Sequence, residues 1–585
     1  MLMLGVILVA ACGDDDISDA TGGTVVSDDT ASGSGSSSGV ATVSTPDFDS
    51  FSIAQSTAAT GETATTPSSR SKSVTITFNS DGTATSSDES LASVSGQAVT
   101  ANTADVNYIL TGSTAEGSSA AFNYKGTGDC TITLNGVNVN TTAKAIGATK
   151  GGNVELVVAE GTTNTIISTA KKSIEVGDDT EGEEISSKLD IYGTGVLNIT
   201  SEAKGAISST DAMTINPGVV LNITLNEGAT GKKGLKSDTS IDFKGGRTTV
   251  INNAPAEWDD TESDYSAATC VKAPTINVSG GTVQCKATGN GGKGMRADNT
   301  MTISDGTVEV VTTGSNLVRY NNADKVVSMS QLDSYSNYED ANPKGIHVGD
   351  KDTGVGNLTV NGGTVKVKVA NSEGIESKRY INVTGGTVMS YAGDDAINAG
   401  ISSENNRGNA YAGKGEIAIS GGTVYAYSTD NDAIDANGTI SISGGVVLAS
   451  GNTAPEGGID CDQSEFAITG GYVIGLGGDT STPTESSCTQ SSLITSATMS
   501  KGDYLTLQVG GTTVLKAEMP RAYSNGTMLI SAPQMKKGTS YAIYKGSSSL
   551  ASGTLSSSAY VNGSSSGGMG GGGTMPGGGN MPGGR

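Results

Sequence analysis

Leu358-Thr359-Val360-Asn361-Gly362-Gly363-Thr364-Val365 is followed 23 residues later by Ile381-Asn382-Val383-Thr384-Gly385-Gly386-Thr387-Val388. The phrase is two aliphatic residues one position apart, then Gly-Gly, then a β-branched start to what comes next. It returns at 417–424, 440–447 and 466–473, and earlier copies stand at 241–246, 276–283 and 303–308. The second glycines fall at 246, 281, 306, 363, 386, 422, 445 and 471, so the steps are 35, 25, 57, 23, 36, 23 and 26. A base period of 23 to 26 residues with insertions in three steps is the mark of a stacked repeat.

The alternation within each phrase is a period-2 strand with one buried face. Gly-Gly allows a positive φ or a close backbone approach, so the chain can turn a corner there. One such unit cannot bury its inner face alone and needs a neighbouring copy. No amphipathic run of helical period is present. The expected fold is all-β, a right-handed parallel β-helix solenoid. A chain of 585 residues with 84 glycines, one Trp and one His fits that body better than an ordinary enzyme core.

The expected organisation has five parts: 1–12 a lipoprotein signal, 13–70 a disordered tether, 71–490 the solenoid, 491–562 a C-terminal β module or cap, and 563–585 a disordered tail. Leu8-Val9-Ala10-Ala11-Cys12 resembles the end of a bacterial lipoprotein signal, with Cys12 as the lipid-bearing residue. The acidic run Asp14-Asp15-Asp16 after it is similar to the export tag of surface lipoproteins in Bacteroidetes-type bacteria. That resemblance implies a lipid-anchored, surface-exposed protein of the outer membrane. Residues 13–70 are rich in Ser, Thr, Gly, Asp and Ala without periodicity, and 564–585 repeats Met-Pro-Gly-Gly. Cys270 with Cys285 and Cys461 with Cys488 are spaced to pair locally, or all five body cysteines are free thiols; no Cys-x-x-Cys occurs, which speaks against zinc.

Net charge is −25, which disfavours nucleic acid and anionic membrane surfaces and favours cations. A second phrase shows where the charge matters. It reads Lys233-Gly234-Leu235-Lys236, Lys293-Gly294-Met295-Arg296, Lys344-Gly345-Ile346-His347, Glu373-Gly374-Ile375-Glu376, Asp395-Ala396-Ile397-Asn398, Asp432-Ala433-Ile434-Asp435 and Gly457-Gly458-Ile459-Asp460. The aliphatic residue points inward and its polar neighbours outward, so stacking would align like charges about 4.8 Å apart. Such a row is unfavourable unless a counter-ion or ligand neutralises it.

The row divides by sign. Lys233, Lys236, Lys293, Arg296 and Lys344, with Lys378 and Arg379 nearby, are candidates to grip the carboxylates of a sugar chain. Glu373, Glu376, Asp394, Asp395, Asp430, Asp432, Asp435, Asp460 and Asp462 supply the hard oxygens that Ca²⁺ prefers. Solvated charge on a turn is the plainer reading of both sets. Asp430-Asn431-Asp432 with Asp435 is not an EF-hand, because Asp435 stands where that loop requires Gly. Gly289-Asn290-Gly291 with Gly294 is not a dinucleotide loop, since no helix follows. Gly35-Ser36-Ser37 with Gly39 matches a nucleophile elbow only by lying in Ser/Gly-rich sequence. His347 as the sole histidine leaves His-dependent triads without support.

Thr131-Ile132-Thr133-Leu134-Asn135-Gly136-Val137, followed by Ala159-Glu160-Gly161-Thr162-Thr163-Asn164, resembles the opening of a family of bacterial carbohydrate-binding β-helix proteins. The resemblance runs over about 100–475. It implies a pectate-lyase-like fold, binding of acidic plant polysaccharide such as polygalacturonate, and of cellulose, and bound calcium. Insertions around 254–269, 317–342 and 402–414 carry Trp258, Tyr265, Tyr320, Tyr335, Tyr338 and Tyr411, whose rings suit sugar stacking or local packing. The expectation is a monomeric, non-catalytic binder of acidic polysaccharide, assisted by Ca²⁺. The alternatives are a calcium-dependent polysaccharide lyase, with Lys344, Lys378 or Arg379 as the base, and a structural surface adhesin.

Overall fold

The computed structural model describes residues 39–563 apart from 49, 52, 59, 179, 181–183, 333, 336–337, 351, 402–408 and 463–464. Cys12, the signal, residues 13–38 of the tether and most of the tail lie outside these residues, as does part of the insertion at 402–414. Strands dominate, and Met329–Leu332 is the one short α-helix among the described residues. No helix among them is long and apolar enough to cross a membrane.

The all-β expectation is met, and the right-handed parallel β-helix solenoid is corrected. The large sheet closes on itself as an eight-stranded parallel barrel, with its other strands outside. Going round, Cys130–Thr141 pairs with Val154–Val158, then come Leu189–Gly193, Met213–Ile215 and Ser240–Asn252. From there the circuit returns through Val220–Leu225, Val196–Ser201 and Thr163–Ser168 to Cys130–Thr141, every pair parallel.

The physical reason lies in the glycines. The sequence reading ends one strand at each glycine corner and starts another. In the structure the long strands run through the corner and pair on both sides of it. Ser240–Asn252 offers 241–243 to one neighbour and 247–252 to another, with Gly246 at φ 74° between them. Gly136, at φ 72°, does the same for Cys130–Thr141. Two strands shared by both arms close the circuit.

Parallel pairing continues beyond the barrel in strict register. Leu235 lies beside Val271, then Met295, Ile346, Ile375, Ile397, Ile434 and Ile459. All eight are buried, at 0–2% exposure. Each aliphatic side chain so buried contributes about 1.5–3 kcal/mol, and a one-residue slip would turn the whole row outward. Register is therefore held by the core.

The C-terminal region forms a five-stranded sheet of Thr512–Glu518, Tyr504–Val509, Ser540–Lys545, Ser548–Thr554 and, from the other end of the chain, Ala41–Val43. It joins the large sheet through Tyr523–Ser531, antiparallel to both Glu465–Gly477 and Ser492–Met499. The segment expected to be a tether is held from residue 39 onward at several points. Ala41–Val43 pairs with 515–517, the Ser56 amide donates to Asn222, and Arg70 pairs with Glu155 at 2.8 Å. No disulfide joins the five described cysteines.

Candidate functional site

One position outward from the aliphatic row, the pairing brings together Lys236, Lys272, Arg296, His347, Glu376, Asn398, Asp435 and Asp460 in that order. Beside it run Lys233, Thr269, Lys293 and Lys344. Neighbouring strands lie about 4.8 Å apart, so residues remote in sequence form one charged strip. Above the strip is a cavity of about 610 Å³. Its lining includes Lys293, Arg296, Lys344, Glu376, Asp395 and Asp435.

The insertions build the walls. The hairpin of Glu257–Asp259 and Asp264–Ser266 contributes Asp264 and Tyr265, and Glu339–Ala341 contributes its whole length. Most insertion aromatics pack on one another instead of facing the cavity. Trp258 meets Tyr265 edge-on at 5.2 Å and carries Arg319 at 4.5 Å. Tyr335 lies against Tyr320 and Tyr338 at 5.3 and 6.3 Å.

The two signs meet at a neutral seam. Lys344 Nζ stands 2.7 Å from both Glu373 Oε1 and Glu376 Oε2. Lys378 also pairs with Glu376. Burial alone would push Lys344 down, but the two glutamates hold it above the usual lysine range. Burial would likewise raise Glu376, but Lys344, Lys378 and His347 keep it well below the usual carboxylate range. Burial pushes His347 down to about 4. Its Nδ1 lies 2.6 Å from Glu376 Oε2 and its Nε2 3.1 Å from Gly349 O, two acceptors of which a neutral ring donates to one.

Past the seam the acids have no such partners. Among the described residues no cationic side chain pairs with Asp395, Asp432 or Asp435, which are 5, 8 and 8% exposed. Burial, reinforced by Asp394, Asp435 and Asp432, drives Asp395 well above the carboxylate range. Burial first, then neighbouring carboxylates, raises Asp432 to about 7 and Asp435 to about 8. Asp394 reaches about 7 through burial and Glu373. Asp435, Asp460 and Asp462 each offer an oxygen within 4.8 Å of the others. That span suits oxygens on one Ca²⁺, whose bonds are about 2.3–2.6 Å. Between Glu376 and Asp435, the buried Oδ1 of Asn398 has no hydrogen-bond partner, although its Nδ2 donates to Asp395 at 3.0 Å. An orphaned hard oxygen beside uncompensated carboxylates fits a calcium donor set.

The remaining candidates divide. Lys233, Lys236, Lys293 and Arg296 form the opposite, basic end. Asp430 is exposed and outside the cavity lining. Arg379 lies over Tyr380 at 4.9 Å, with Glu416 at 3.9 Å, and does not line the cavity. The sequence reading passes over Lys272, because Thr269-Cys270-Val271-Lys272 lacks the small residue before its aliphatic. Its spacing was the available signal: Val271 stands 36 residues after Leu235 and 24 before Met295.

A family model described as carbohydrate-binding domain-containing protein matches residues 95–396 and 339–454, together more than half of the chain. Every residue lining the cavity lies within that stretch. No curated protein and no solved structure matches the chain.

Proposed function

Because the chain belongs to the carbohydrate-binding domain family, we propose that it binds acidic, uronate-containing polysaccharide in this cleft with the help of Ca²⁺ and does no chemistry on it. The observation that carries the reading is the group Asp395, Asn398 and Asp435, buried oxygens without a cationic partner that line the cavity, with Asp432 buried behind them. Asp435, Asp460 and Asp462, with Asn398 Oδ1 and Asp395, would hold the ion. The bound ion would offer its remaining coordination positions to sugar carboxylates.

The non-catalytic half of the proposal has its own support. Lys344 and Lys378, the lysines nearest the acidic pole, are both engaged by Glu376. A base must be free to take a proton. Display at the cell surface through a lipid on Cys12 belongs to the same proposal, and metabolic labelling with a fatty acid tests it.

The deciding experiment incubates the protein with polygalacturonate in calcium and in chelator, following bound protein and unsaturated product together. Binding that weakens on chelation, with no rise in product absorbance, is the expected result. Absence of binding to any uronate polymer would remove the reading, and product formation would move it to the lyase.

A further inference from the structure

We infer that the cleft holds a second subsite, a direct, metal-independent receptor for an anionic group, formed by Lys233, Lys272, Lys293 and Arg296 at the end opposite the acids. It rests on the reading that an acidic polysaccharide lies along the cleft.

The four cations occupy three successive rows, and the acids nearest them, Asp298 and Asp350, act on Arg296 and Lys272 and form no ion pair with Lys233 or Lys293. Lys293 is 8% exposed and lines the cavity, and its Nζ donates to Asn342 O at 2.7 Å. Lys233 Nζ donates to Gly231 O at 2.6 Å and to Ser266 Oγ at 2.8 Å. No carboxylate among the described residues pairs with either lysine. Lys272 and Arg296 divide one carboxylate, Asp298, at 3.6 and 3.0 Å. Asp259, Glu262 and Asp264 line an adjoining cavity of about 250 Å³ shared with Lys233, Lys272 and Arg296. They do not offset the basic charge: burial, then neighbouring cations, pushes both Lys233 and Lys293 down to about 7. Neutral acceptors satisfy the geometry of these amines and leave their charge unbalanced. An anion entering between them would restore the protons and gain charge-assisted hydrogen bonds.

Spacing makes this subsite distinct. From the Arg296 row to the Asn398 row is three strand steps, or about 14 Å at the usual spacing. The neutral seam of Lys344, Lys378, Glu373 and Glu376 lies between. One sugar carboxylate cannot touch both poles, whereas successive uronates of one chain can. Linking the two contacts through the sugar backbone makes the second intramolecular, so affinity should climb once the oligomer bridges the gap.

Calorimetry with galacturonate oligomers of increasing length, in calcium and in chelator, tests this on the whole protein. In chelator, residual salt-sensitive binding is expected. It should fall about tenfold or more in Lys272→Met and Lys293→Met and stay unchanged in Lys501→Met, an exposed lysine outside the cleft. In calcium, affinity should step up at the bridging length, and either end's variant, Asp435→Asn at the acidic end, should remove the step. Lys272 is the more exposed site, so its variant serves if Lys293→Met fails to fold by circular dichroism. Equal binding by short and long oligomers, with the Lys272 and Lys293 variants unaffected and Asp435→Asn inactive, would overturn the second subsite and leave the calcium reading intact. Failure of every uronate oligomer and polymer to bind would overturn both.

Discussion

Lys344 and Glu376 meet at 2.7 Å in the middle of the cleft, each nearly buried, with side-chain exposures of 9% and 3%. The pair marks where a run of cations becomes a run of anions, in the floor of the cavity. Its worth is mainly the cost of breaking it. Lys344→Met strands Glu373, while Glu376 keeps Lys378, and should cost about 3–5 kcal/mol. Adding Glu373→Gln should recover part of that loss. Denaturant melts of the single and double variants measure both.

Calcium affinity should follow the acids beyond the seam. Asp435→Asn and Asp460→Asn should each weaken Ca²⁺ binding, measured by calorimetry, while leaving the melting temperature in chelator unchanged or raised. A rise is expected because each change removes like charge from a crowded set. Lowered stability in chelator together with unchanged ion affinity would count against these residues as ligands.

The same acids set a pH signature. Asp394, Asp432 and Asp435 have folded values of about 7, 7 and 8 against an ordinary 3.8. The folded state therefore holds protons that the unfolded state has released across that window, and their contribution to stability falls as pH rises through it. His347, depressed to about 4, opposes this between pH 4 and 6.5. Lys233 and Lys293, at about 7 in the folded state, oppose it only above neutrality. Calcium-free protein should thus lose melting temperature between pH 6.5 and 7, and added calcium should raise it more at pH 7 than at pH 5. A scan with and without chelator reads both effects.

The glycine corners should be intolerant of side chains. Gly386 has φ 73°, and a Cβ there would come within 2.6 Å of the Gly362 backbone. Gly386→Ala should destabilise by about 2 kcal/mol or more, since a positive φ and a backbone clash add. Gly502→Ala has a positive φ of 82° and nothing within 4 Å, so it isolates the conformational part. Thermal melts of the two variants separate the effects.

Much of this was legible in the residues. Ile346, Ile375, Ile397, Ile434 and Ile459 announce an inward row because each stands two positions after a small residue's predecessor in the same short phrase, and hydrophobic register does the rest. The closure of the barrel was hidden, because Gly-Gly looks alike whether a strand ends there or bends and continues, as at Gly246. Partners across rows were hidden too. A count of signs along the chain groups Glu373 and Glu376 with the other acids, whereas pairing gives them to Lys344, Lys378 and His347. Asn398 drew no notice as a ligand because an uncharged amide shows its use only when its oxygen is seen to lack a donor. Residues 39–70 carry no periodicity, yet hydrogen bonds to Asn222 and Glu155 hold them against the body.

Ala41–Val43 runs parallel to 515–517, at the far end of the sequence. Force applied at residue 39 along that strand is therefore taken first by the short ladder to the C-terminal sheet, loaded in shear across several hydrogen bonds at once. Neither side of that ladder lines the cleft, so a pull that peels residues 41–43 away leaves every cleft-lining residue in its own strand pairing.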